Sequence, residues 1–238
     1  MRSYYFPAFL DLRGRECVVV GAGGVALGKV LGLLPCGAAV RVVSPEAEPG
    51  VAALAARGKV RWEARGYRRG DLAGAALVVA GTDDPATNAA VYEEAVAERA
   101  LVNVVDVPEL CGFVYGAVFR RGRLMAAVST GGASPAFAAR CKRELAAVWG
   151  SEHGRLVSAY RRLRPFVAER VPTVEGRKRL WQEAVRSDAA LADLRAGART
   201  AEVDARLRAW VEAWAAAQGF AAGPDGRPAV SRVAAGSA

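Results

Sequence analysis

The sequence contains one histidine, His153, in 238 residues, and its four cysteines (Cys17, Cys36, Cys111, Cys141) include no C-x-x-C pair. Zinc centres draw on clustered Cys and His, so no resident metal site of ordinary ligand type is expected. The thiols are scattered, and Cys17 and Cys36 stand in apolar surroundings that suit small core residues. A reduced cytoplasm is the expected compartment. No apolar run reaches the about 18 residues that a membrane-spanning helix needs, although 53% of the chain is hydrophobic. The start, MRSYYFPAFLDLRGR, meets charges before any sustained apolar stretch, so no secretory leader is expected. There is no internal repeat. Neither a helix-turn-helix nor an aromatic–basic RNA motif stands out, and the expected partners include neither nucleic acid nor membrane.

Charge is present but unevenly placed. Residues 1–119 carry 12 Lys/Arg against 13 Asp/Glu, and residues 187–238 carry 6 against 6. Residues 120–186 carry 15 against 5, so the whole net excess of +9 comes from this one segment. Of the 33 basic residues, 29 are Arg, which composition alone could produce, but composition does not explain the clustering. A localised basic block reads as a site for an anionic partner, whether nucleic acid, an anionic lipid surface or a polycarboxylate substrate, or as a solvated helical surface.

The stretch that organises the chain is ECVVVGAGGVA, residues 16–26. A β-branched run ends in G-x-G-x-x-A, directly before a helical pattern, which is the context of a dinucleotide fingerprint. Gly21 turns the chain out of the strand, and Gly23 removes the side chain that would hold a pyrophosphate away. Gly24 and Val25 open a helix whose unpaired N–H groups and dipole favour phosphate. Ala26 lets that helix lie close to the sheet. The expected second strand, 39–43, is stopped by Ser44 and Pro45. Glu46 follows, where an acid can bond the adenosine ribose; such an acid favours NAD over NADP because it repels a 2′-phosphate.

Further strands are expected at 60–64, 77–80 and 101–105. Thr82 and Asp83 follow the fourth strand; either can cap the helix after Pro85, and both stand beside the cofactor crevice. Asn103 and Asp106 lie in or just past the fifth strand. The pattern then changes to two strands, 113–119 and 124–129, joined by the basic turn Arg120-Arg121-Gly122-Arg123. Ser129-Thr130-Gly131-Gly132-Ala133-Ser134-Pro135 leads into a helix, with Ser134 as N-cap. Its hydroxyls and glycines form a tight capped turn and a second candidate anion cradle. Residues 152–218 read as wholly helical, and 219–238, rich in Ala, Gly and Pro, as a disordered tail. The expected class is α/β: a Rossmann-type parallel sheet (1–114), a small α+β segment (115–150) and a helical C-terminal domain (151–218).

The segments FPAFLDLRGRECVVVGAGGVA, GAAVRVVSPE, VVAGTDDPATNAAV, LVNVVDVPELCGFVYGAVFRRGRLMAAVSTGGASPAFA and GRKRLWQEAV together resemble the precorrin-2 dehydrogenase family, the N-terminal module of sirohaem synthase. The resemblance implies NAD-dependent oxidation of precorrin-2 to sirohydrochlorin by a homodimer, with residues 115–150 as its dimerisation segment, on the way to sirohaem or cobalamin. It makes Asp106, the aspartate of NVVD, the catalytic residue. Asn103, Arg120, Ser129, Thr130, Gly132 and Ser134 become the candidate substrate contacts, and the carboxylate fringe of the tetrapyrrole gives the basic block a partner. Some members also insert a metal, so Fe2+ or Co2+ is a candidate second substrate. The chain lacks the methyltransferase part of fused members and is not expected to make precorrin-2. It departs from the commoner loop at Gly24, where an acid is often found, and at Gly28. A second reading is an NAD(H)-sensing Rossmann module with a basic helical half that binds a partner.

Overall fold

A computed structural model describes residues 5–220. The chain divides into two compact units between Tyr115 and Gly116. The first is built on a five-stranded parallel sheet in the order β3-β2-β1-β4-β5. The central strand β1 (Glu16–Val20) pairs with β2 (Ala39–Val43) on one side and β4 (Leu77–Ala80) on the other. The outer strands β3 (Arg61–Glu63) and β5 (Leu101–Val104) pair with β2 and β4. Cys17 and Val19 of β1 join Ala26, Val30 and Leu33 of helix α1 (Gly24–Leu33) in one core. Val18 and Val20 join Val91 and Ala95 of α3 (Pro85–Ala97) in another. Helix cover on both faces is why this strand is an unbroken apolar run rather than an alternation. Helix α2 (Pro49–Ala56) adds Val51 to the first core.

The cap of α3 differs from the expectation. Its N-cap is Asp84, which accepts hydrogen bonds from the backbone N–H groups of Ala86 and Thr87, both at 3.1 Å. Thr82 instead donates its hydroxyl to Asn88 Oδ1 at 2.9 Å and accepts the Asn88 amide on its carbonyl, while Asp83 is exposed. Pro85 must be the first helical residue because it has no N–H to offer, which fixes the cap one residue before it. Further along α3, Glu94 is buried and accepts from the Leu72 N–H at 2.7 Å, the Gly70 N–H at 3.0 Å and the Tyr67 hydroxyl.

The second unit opens with an antiparallel hairpin of β6 (Ala117–Arg121) and β7 (Leu124–Val128). The strand expected from Phe113 therefore starts at Ala117. The preceding residues are held otherwise: the Phe113 carbonyl accepts the Asn103 amide, and the Phe113 ring packs on Tyr115 with centroids 5.2 Å apart. Arg120 and Arg121 belong to β6, leaving Gly122 and Arg123 as the turn, with Gly122 at φ +56°. Helices α4 (Pro135–Val148), α5 (Ser151–Arg170), α6 (Val174–Ala184), α7 (Ala189–Arg195) and α8 (Thr200–Ala217) follow. Leu163 and Val167 of α5, Leu180 of α6 and Val211 and Trp214 of α8 form their shared core. The expected division at residue 150 falls inside this unit. Of the expected tail, all but Gly219 and Phe220 lies outside the described residues.

Candidate dinucleotide-binding and catalytic site

The order of the first sheet changes direction between β1 and β4, and ligands of open α/β sheets bind beyond the strand ends at such a switch. Two loops meet there. Gly21 has φ +98°, and a Cβ on it would lie 2.4 Å from the carbonyl oxygen of Gly81, in the loop after β4. Any side chain at 21 would push these loops apart, so this glycine is required by the fold itself. Gly23 and Gly24 are different: both are exposed, and a Cβ on either meets nothing within 4 Å. Helix α1 begins after Gly23 with no side-chain cap and no acid in its first turn. An uncapped helix start with side chains removed beside it forms a cradle that fits the pyrophosphate of a dinucleotide. Val25 is exposed at the same turn, while Ala26 is fully buried beneath it.

Beyond β2, the Ser44 N–H bonds the Glu63 carbonyl at 3.2 Å and the Ser44 carbonyl accepts Trp62 Nε1 at 3.0 Å, so its backbone belongs to the β2–β3 edge. Pro45 and Glu46 are exposed. A second acid, Glu48, is fastened to the fingerprint: its N–H bonds the Ala22 carbonyl at 3.0 Å. One Glu48 carboxylate oxygen, Oε2, is buried without a partner among the described residues. Sequence reading passed over Glu48 because spacing alone cannot tell which acid of SPEAEP returns to the loop.

At the end of β5, Asp106 has φ +60° and an exposed side chain. Besides Asp106, the one non-glycine residue with positive φ among the described residues is Arg99, which terminates α3. Left-handed backbone costs an L-residue about 1–2 kcal/mol, and such strain concentrates at functional sites. The neighbouring segment is locked. Asn103 is buried, and its amide nitrogen donates to the Phe113 carbonyl at 2.9 Å and to Cys111 Sγ at 3.3 Å. Its amide nitrogen thus holds residues 111–113 against β5. Burial pushes the Cys111 thiol above its usual range, which keeps it protonated.

Lys29 of α1 completes this corner. Its Nζ lies 3.9 Å from the centre of the Tyr115 ring. Burial lowers its pKa, while the charge of Asp106 acts in the opposite direction. Among the described residues no carboxylate comes within 4 Å of it. A cation over a ring and near an aspartate is a ready electrostatic partner for that aspartate. A signal was present in the sequence: Lys29 is the sole charged residue between Glu16 and Arg41.

In the second unit, the hydroxyl–glycine segment is organised by its own side chains. Ser129 Oγ accepts the Gly131 N–H at 3.1 Å, Thr130 Oγ1 the Ser134 N–H at 3.0 Å, and Ser134 Oγ the Phe137 N–H at 3.2 Å. The capped turn is therefore present, and these three N–H groups are not free for an anion. The hydroxyl protons remain available as donors. Gly131 and Gly132 both have positive φ and open space around them. Arg120 is exposed on β6. Among the described residues there is no group of three His, Cys, Asp or Glu placed to hold a metal, and no helix long and apolar enough to cross a membrane.

Comparison with known proteins agrees with this layout. Residues 8–117 match an NAD(P)-binding family, and residues 121–147 match the family of the sirohaem biosynthesis protein central segment. The chain is 37% identical over 226 residues to a sirohaem synthase of Methylococcus capsulatus, covering 92% of this chain and 48% of that protein. It is 38% identical over 215 residues to one of Pseudomonas entomophila, covering 90% and 46%. The chain thus spans about half the length of the curated relatives it matches. A solved structure titled SirC, precorrin-2 dehydrogenase, superposes with a TM-score of 0.70 at 26% identity, over 88% of this chain and all of that one. The first unit is an NAD(P)-binding domain, and residues 121–147 belong to the family of the sirohaem biosynthesis protein central segment.

Proposed function

We propose that this chain oxidises precorrin-2 to sirohydrochlorin with NAD. The observation that carries the proposal is Asp106, an exposed carboxylate held in left-handed backbone at the end of β5, in the unit whose fingerprint offers an open cradle for pyrophosphate. NAD supplies the hydride acceptor. The N–H groups at the start of α1 hold the pyrophosphate, with Gly23, Gly24 and Val25 around it. Glu46, with Ser44 and Pro45 beside it, takes the adenosine ribose and disfavours a 2′-phosphate; Glu48, tied to Ala22, supports the same end. Thr82 and Asp83 border the crevice from the β4 side. Loss of a hydride from the macrocycle leaves a proton to be removed, and Asp106 accepts it and passes it to water. Precorrin-2 and NAD+ thereby become sirohydrochlorin, NADH and one released proton.

Arg120 and the hydroxyls of Ser129, Thr130 and Ser134, with Gly132 allowing close approach, meet the carboxylate fringe of the substrate. The chain works as a homodimer, which sedimentation of the purified protein checks. Insertion of Fe2+ or Co2+ into sirohydrochlorin needs an acceptor for the pyrrole protons, and Asp106 provides one. Anaerobic turnover of enzymatically generated precorrin-2 with NAD, followed as NADH, tests the main proposal. Wild type should form sirohydrochlorin, and Asp106→Asn, which keeps the turn, should lose at least 100-fold in rate. Full turnover by Asp106→Asn would discard its catalytic role. NAD binding without any turnover in wild type would favour a nucleotide-sensing module instead.

A further inference from the structure

The second unit contains a cavity of about 340 Å³, framed by the β6–β7 turn and the first turns of α5 and α8. Its lining includes Arg121, Arg155 and Arg162 together with Ser151, Ser158 and Thr200, and no acidic residue. The three arginines are not equally compensated. Arg162 is held by Asp204 through two bonds of 2.8 and 3.0 Å. Arg155 donates to the Ala198 carbonyl at 2.6 Å, and Arg121 to the Arg120 carbonyl at 3.3 Å. Among the described residues neither of these two has a carboxylate within 4 Å.

Two helix starts border the cavity. Ser151 and Thr200 are the first residues of α5 and α8, and the α5 start has no side-chain cap. The acid of each first turn lies over its own helix start: Glu202 accepts the Arg199 N–H at 3.0 Å, and a Cβ on Gly150 would meet the Glu152 carboxylate, so the uncompensated charge at the cavity is that of Arg121 and Arg155. The frame is also fixed. A Cβ on Gly154 would sit 2.4 Å from the Arg121 carbonyl oxygen, so α5 and β6 touch through a glycine. The Arg121 guanidinium lies 5.0 Å from the Phe119 ring centre, which limits its freedom. Half-buried guanidinium groups that no carboxylate meets are costly unless an anion offsets them. Arginine forks and hydroxyls are also the donors that recognise carboxylate and phosphate.

We propose that this cavity is an oxyanion-binding site for a carboxylate or phosphate group of a small-molecule ligand, with Arg121 and Arg155 as its principal cations. A carboxylate arm of the tetrapyrrole is one source of that group and rests on the proposed dehydrogenation; free phosphate is the other and does not.

The test is isothermal titration of the full chain with inorganic phosphate and, separately, with sirohydrochlorin. Wild type is compared with Arg155→Gln and Ser151→Glu. The second variant puts a carboxylate at an exposed first helical position, where the helix dipole favours it, so its melting temperature should not fall. Both variants should bind at least one of the two probes tenfold or more weaker than wild type. Loss confined to sirohydrochlorin identifies the substrate arm as the ligand, and loss of phosphate binding identifies the free anion. Wild type that binds neither probe, or variants that bind both as wild type does, overturns the site.

Discussion

Gly21 and Gly23 belong to one fingerprint but are required for different reasons, and alanine substitution should separate them. At Gly21 the backbone is left-handed, and a Cβ would lie 2.4 Å from a carbonyl oxygen. The conformation alone costs about 1–2 kcal/mol, and the loop after β4 must also move, so Gly21→Ala should destabilise by about 2–4 kcal/mol. That corresponds to a melting temperature lower by roughly 4–16 °C. At Gly23 φ is −77°, which alanine adopts, and the added methyl meets nothing within 4 Å. A stiffer unfolded chain and a poorer N-cap nearly cancel, leaving stability within about 0.5 kcal/mol of wild type. The nucleotide should respond in the opposite way. A methyl in the cradle holds the pyrophosphate off the helix start and forfeits one or two charge-assisted bonds, about 2–4 kcal/mol. The Kd for NAD should then rise roughly 30- to 1,000-fold. Calorimetric titration with NAD and a thermal melt on the same samples read both quantities. A Gly23→Ala protein that binds NAD like wild type would refute the reading of the open cradle. A Gly21→Ala protein that melts with wild type would refute the reading of the loop contact.

Three other outcomes follow from named contacts. Asp106→Gly should hold or raise the melting temperature, because relief of about 1 kcal/mol of left-handed strain offsets the extra freedom of the unfolded chain; precorrin-2 oxidation by the same protein should fall at least 100-fold. Glu94→Gln leaves one of the N–H groups of Gly70 and Leu72 without its acceptor, and chemical denaturation should report a loss of about 2–3 kcal/mol. Asp71 is paired to Arg65 by two bonds of 2.8 Å, and this partner holds its carboxyl below the usual range. A depressed folded-state pKa contributes stability above the unfolded value of about 4, lost as pH falls through the folded value. Asp71→Asn should therefore melt below wild type at pH 7, and the gap should shrink as the pH drops below about 4. A gap that stays constant with pH would discard the ion pair as its cause.

Much of the first unit was legible from sequence because its signals are local. The apolar run of β1 and the Gly-rich turn after it set a strand, a sharp exit and an uncapped helix start without any distant contact. Strands β2 and β4 fell at their expected bounds for the same reason. Expectations failed where a neighbour in space decided the matter. Phe113 reads as the start of a strand, yet the Asn103 amide takes its carbonyl and the strand begins four residues later. The cap of α3 passed to Asp84 because Thr82 is drawn into bonds with Asn88.

The sequence by itself determined the class of the fold, the cradle for a dinucleotide and the segment in which positive charge collects. Each depends on residue type and short-range spacing, which the chain carries whether or not it is folded. Tertiary structure alone decided that Asp106 sits in left-handed backbone, that Lys29 lies over the Tyr115 ring, and that Glu48 is the acid bonded to the fingerprint. It also decided that, of three arginines around one cavity, Arg162 has a carboxylate partner while Arg121 and Arg155 do not. The physical reason is common to all four. Backbone strain, ring contact and charge compensation are properties of groups brought together from distant positions, and a linear pattern gives their identities without their partners.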